Sequence, residues 1–129
     1  MLSPTLRFAL VADGIIFLVA AALNFGAQIP LGFAEVAFPV RVWQAGVGEA
    51  VIGVLLLLAA WRATERLAWI AFGASVLGIA FGLASERVQG PARDIHIVLV
   101  PVAIVVLFLL VRQRLATRDA RGRSDPVPR

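Results

Sequence analysis

Four apolar runs fill most of this chain: Phe8–Phe25, Trp43–Trp61, Leu67–Ser85 and Ile95–Val111, each 17 to 19 residues long. At about 1.5 Å of rise per helical residue, each run covers most of the roughly 30 Å hydrocarbon core of a bilayer. The runs are apolar on nearly every face, and a soluble chain of 129 residues could not bury four such helices. The expected fold is therefore all-α: an integral membrane four-helix antiparallel bundle over residues 1–111. Residues 112–129 are expected to form a basic, disordered cytoplasmic tail. The first run is too long for a signal-peptide core and is interrupted by Asp13, so it reads as a retained helix.

Charge supports this reading and gives the bundle a direction. Only 16% of residues are charged, and they cluster between the runs. All twelve basic residues are Arg. Arg7, Arg62, Arg66, Arg112, Arg114, Arg118, Arg121, Arg123 and Arg129 flank one side, while Arg41, Arg87 and Arg93 flank the other. The positive-inside rule then places both termini and the 62–66 turn in the cytoplasm, in the cytoplasmic membrane. Trp43 sits at one expected boundary, with Trp61 and Trp69 near the other, as aromatic belts require. The Arg distribution follows topology rather than nucleic-acid binding. The Arg-rich tail suits an anionic lipid surface.

Composition removes several kinds of chemistry. Cysteine is absent, which excludes disulfides, thiol redox chemistry and thiolate metal sites. One histidine, His96, cannot supply two axial haem ligands within one chain. No phosphate loop, metal motif or nucleophile with an attendant base is present, so no catalytic residue is assigned and an enzyme is the less favoured class. Which cofactor, if any, the chain uses is left unknown by these residues.

The polar residues within or beside the runs are the candidates for function. Glu49 lies six residues past Trp43, inside the second run. An ionised carboxylate there costs on the order of 3 kcal/mol, so it must be protonated, paired or bound. Arg41, Arg93 and His96 share its side of the membrane. Together with Asn24 and Gln44 they could line an outward-facing pocket for a ligand or a proton. His96 is expected several ångströms from Glu49 in depth. Asp13 is expected to pair with Arg7 or Arg66, and Asp94 to cap the last helix. The 27–42 connection is apolar but broken by Pro30, Gly32 and Pro39, so it lies on the membrane surface or folds over the helix ends. A stripe of small residues, Ala71, Ser75, Gly78 and Gly82, follows one face of the third helix. Gly46, Ala50 and Gly53 share a face of the second. Lipid gives helices no hydrophobic reason to associate, so such faces mark close packing, within one chain or between copies.

Around Gly48-Glu49, Gly53 and the Leu55–Leu58 run, continuing through a short Arg-bearing turn into Leu67–Gly82, the chain resembles DoxX-like membrane proteins. The resemblance implies a four-helix bundle with a site near the second-helix carboxylate, to which Glu49 corresponds. It also implies a possible link to quinone-dependent redox complexes. The expected function is an accessory or ligand-binding subunit of a membrane assembly. The alternative is a homo-oligomeric, proton-coupled small transporter or channel. The expected partners are the bilayer and either a second copy or another membrane protein.

Overall fold

The computed structural model describes residues 1–122. Its helices are α1 (Pro4–Asn24), α2 (Trp43–Arg62), α3 (Glu65–Ala84) and α4 (Pro91–Gly122). Two short strands, β1 (Ile29–Pro30) and β2 (Glu35–Val36), pair antiparallel in the α1–α2 connection. Each helix is long and apolar enough to cross a membrane. They form a ring in chain order, with α1 against α2 and α4, and α3 against α2 and α4.

Local chemistry sets the helix ends. Ser3 caps α1, its hydroxyl accepting from the Leu6 amide, and Pro4 takes the first position, where a missing N–H costs nothing. At the other end Gly26 adopts φ +99°, with Ala27 N–H donating to Ala22 and Gly26 N–H to Leu23. This is the left-handed stop that glycine favours. α2 ends with Ala63 at φ 51°, a conformation costing an L-residue roughly 1–2 kcal/mol.

α4 departs from expectation at both ends. It starts at Pro91, so Asp94 lies within its first turn rather than capping it, and the Gly90 carbonyl accepts from Arg93 and Asp94. Beyond Val111 the helix continues to Gly122, so residues 112–122 are helical where disorder was expected. Gln, Arg, Leu and Ala in 112–116 are all good helix formers, and an ordered turn precedes them on which to propagate. The remainder of the expected tail lies outside the described residues.

The two ends of the bundle differ. At the end carrying the N-terminus, the chain is stitched shut. Leu2 is buried and its amide donates to Ala63 O, while Arg7 Nε donates to Ala60 O at 2.9 Å. Gln113 of α4 accepts from the Ser3 amide and donates to the Met1 carbonyl, both at 3.0 Å. The start of α1 and the later part of α4 therefore share one end. Behind this closure Leu6, Leu10, Leu56, Val106 and Leu110 make a fully buried core. At the opposite end the 27–42 connection folds over the helix ends: Phe38 is buried against Leu23, Val88 and Ala92.

The small residues face inward. A Cβ on Gly53 would stand 2.9 Å from Gly14 O and 2.7 Å from Leu18, so α1 and α2 meet there backbone to backbone. Gly46 stands against Asn24 and Phe25, and Gly78 against Ile52 and Phe17. Ala71, Ser75 and Gly82 are buried, and Ala50 is half-buried. Gly48, by contrast, faces open space.

This contrast is measurable. Gly53→Ala should cost about 1–3 kcal/mol of stability, because backbone must move to admit the methyl. Gly48→Ala should gain up to about 1 kcal/mol from helix propensity alone. Unfolding of both variants in mixed micelles gives the comparison, and equal effects would rule out the close α1–α2 approach.

Candidate functional site

Near the loop end three buried polar side chains from three helices meet. Gly46 on α2 leaves room for the last turn of α1, which brings Asn24 over Glu49. Asn24 Nδ2 donates to Glu49 Oε2 at 2.8 Å. Asn24 Oδ1 accepts from the Val42 amide at 3.1 Å, tying the same side chain to the start of α2. On the other side of Glu49, Oε1 lies 3.5 Å from His96 Nε2 of α4. That is long for a hydrogen bond, and Glu49 Oε1 has no hydrogen-bond partner. The imidazole sits in a slot made by Gly82 of α3, where a Cβ would overlap the ring. His96 Nδ1 is 2.7 Å from the carbonyl of Ala92, one turn back. A carbonyl only accepts, so Nδ1 carries the hydrogen and Nε2 is the nitrogen that faces Glu49.

A cavity of about 450 Å³ opens beside this pair, between α2 and α3. Glu49, His96 and Val88 are buried in its lining. Its walls are almost wholly apolar. Gly48 and Gly78 give it width, while Leu77 and Phe81 stand exposed at its mouth.

The other sequence candidates lie elsewhere. Gln44 borders the cavity and is exposed. The Arg41 guanidinium lies against Gly26 rather than Glu49. Arg93 is exposed on α4 and does not reach the carboxylate. The expected separation in depth between Glu49 and His96 is overturned by their 3.5 Å contact. It rested on starting α4 at Ile95; the helix starts a turn earlier, at Pro91, which seats His96 within the bundle.

Asp13 forms a second polar centre, deeper in the bundle. Its Oδ2 accepts from the Ser75 hydroxyl of α3 at 3.0 Å, and Oδ1 has no hydrogen-bond partner. The expected pairing with Arg7 or Arg66 does not occur. Arg7 is turned to the Ala60 carbonyl, and among the described residues the only basic side chain within 4 Å of a carboxylate oxygen is the His96 imidazole beside Glu49. Ser75 lies seven residues from Gly82, or ~10 Å along α3. Phe17, Ile52 and Ile79 pack in the interval between the two centres. In sequence Ser75 is one of the small packing residues, and a hydroxyl in mid-helix is the signal that could mark it as a partner for Asp13. Gly48 was read only as part of a Gly-Glu pair, although it shapes the cavity.

No protein-family model matches the chain, and neither a curated protein nor a solved structure matches it.

Asn24→Ala removes both the donor to Glu49 and the acceptor for the Val42 amide. Two such bonds, one to a buried carboxyl group, predict a loss of about 2–3 kcal/mol. Equilibrium unfolding in detergent reads it directly. A loss below about 0.5 kcal/mol would mean that Asn24 is not what satisfies the carboxylate.

Proposed function

We propose that the chain is a multi-pass protein of the cytoplasmic membrane, with both termini inside, that binds an apolar molecule in the α2–α3 cleft and serves as the ligand-binding subunit of a membrane assembly. The observation that carries this reading is the cleft itself: a wide apolar cavity whose lining holds a buried Glu49–His96 pair. Small-molecule sites have this character, with apolar walls and a few convergent polar groups. Membrane residence is supported by the outward faces. Phe8, Ile70, Leu77, Ile97 and Phe108 are all exposed, an apolar surface that water would not tolerate. The excess of Arg at the end with the N-terminus supports the orientation. The mouth of the cleft would then open sideways into lipid, so a ligand would enter from the bilayer. The likeness of Gly48-Glu49 to DoxX-like proteins is in keeping with a redox-linked, quinone-related assembly.

A second reading, the homo-oligomeric proton-coupled transporter, draws on the two buried carboxylates, Asp13 and Glu49. The apolar packing of Phe17, Ile52 and Ile79 between them weighs against a continuous proton path. The small faces, spent on contacts within the chain, leave less reason to expect a copy docked there.

Native mass spectrometry in a mild detergent separates the readings. The ligand-binding reading expects a small molecule to accompany the wild-type protein and to be lost from Gly48→Leu, which fills the cleft, and from Glu49→Gln. Wild-type protein that is bare in every preparation would remove its support. Flux into liposomes that disappears in Asp13→Asn and Glu49→Gln would favour the transporter instead.

A further inference from the structure

Hydrogen-bond geometry at the Glu49–His96 pair of the cleft restricts what can bind there. His96 Nδ1 is committed to the Ala92 carbonyl, and Glu49 Oε2 to the Asn24 amide. What remains is Nε2 facing Oε1 at 3.5 Å, both buried. Without a hydrogen between them, two lone pairs would oppose each other in apolar surroundings, which is costly. A single shared proton would satisfy both atoms, as imidazolium with carboxylate or as imidazole with carboxylic acid. Either form is neutral overall.

The groups around the pair leave this balance to the two residues alone. From α1 the facing side chain is the neutral Asn24, and from α3 it is the bare backbone of Gly82. On α4, Arg93 and Asp94 are exposed. Arg41, Glu86 and Arg87 border a different groove, of about 310 Å³, at the loop end. Asp13 is turned to Ser75. No basic side chain reaches Glu49 except His96, so an anionic ligand would have to compete with Glu49 for the one imidazole. A hydroxyl can enter only while the pair keeps its proton, and it brings no charge to offset the carboxylate. An ammonium group brings both the charge and enough hydrogens for Oε1 and Nε2 together.

We propose that the α2–α3 cleft takes a lipophilic amine, whose ammonium group binds Glu49 and His96 and displaces the single proton that the empty pair holds. This rests on the ligand-binding reading above and names the ligand's chemical class. The exchange balances: the protonated pair and R–NH3+ give the pair bound to R–NH3+ and one free H+. From either starting form the bound state is the same: a neutral imidazole with Nδ1–H still on Ala92, and Glu49 as carboxylate. The apolar body of the amine lies along Gly48 and Gly78 toward Leu77 and Phe81.

Calorimetry on the full-length protein in nanodiscs tests the exchange, with 2-naphthylmethylamine as probe and 2-naphthylmethanol as its neutral counterpart. Gly48→Leu nanodiscs supply the background of partition into lipid; Gly48 faces open space, so this variant should fold. Near neutral pH the amine should bind at least about thirtyfold more tightly than the alcohol. Repeating the titration in buffers of different ionisation heat should reveal about one proton released per amine. Glu49→Gln should abolish the preference for the amine and leave the alcohol within about threefold of wild type. If the alcohol binds as well as the amine, with no proton released and no response to Glu49→Gln, the cation assignment is overturned while the ligand-binding reading stands. If neither probe binds above the Gly48→Leu background, both fall.

Discussion

A carboxylate buried among apolar helices must find its partners inside the bundle, and much of the loop end is arranged to supply them. The line of contacts runs from the Val42 amide to Asn24, from Asn24 to Glu49, from Glu49 to His96, and from His96 to Ala92. It links the α1–α2 connection with α1, α2 and α4. Two glycines make it sterically possible, Gly46 beneath Asn24 and Gly82 beneath the imidazole. Hydrophobic packing alone could not specify this end, because apolar faces slide past one another at little cost. The Asn24–Glu49 bond fixes the relative depth of α1 and α2, and the slot at Gly82 seats the α4 imidazole beside them.

The other end is held differently. There the backbone does much of the work, through Leu2 on Ala63 and the two bonds of Gln113 to Met1 and Ser3. Beneath it large aliphatic side chains fill the interior. Aliphatic side chains thus fill the interior toward one end, while the cleft with its buried Glu49–His96 pair lies toward the other. The cleft lies between α2 and α3, with Gly48 and Gly78 on its facing walls and Glu49 and His96 as its buried polar groups.

The length and polarity of the apolar runs made the four helices legible, together with their antiparallel order and the short α2–α3 turn. Glu49 stood out for the same reason, a charge where charge is expensive. What could not be read was side-chain convergence. Seating His96 beside Glu49 depends on one turn of helix at the start of α4, and on a glycine of α3 that looked like ordinary packing. Arg residues near Asp13 suggest an ion pair, whereas Ser75 reaches it across the bundle. The cleft was invisible because a cavity is a property of two facing walls. Gly48 and Gly53 are the same residue type on one helix, yet one borders empty space and the other touches a neighbouring backbone.

The continuation of α4 beyond Gln113 changes what its arginines are. In a disordered tail, positive charge forms a diffuse cloud whose effect depends on number alone. On a helix each residue advances about 1.5 Å and turns about 100°, so charge acquires direction as well as distance. Arg114 and Arg118, four residues apart, share one stripe of the helix, one pitch apart. Removing a single residue between Gln113 and Arg118 would swing Arg118 about 100° around the helix axis. Because Gln113 is clasped to the first residues of the chain, that rotation would be registered against the bundle itself.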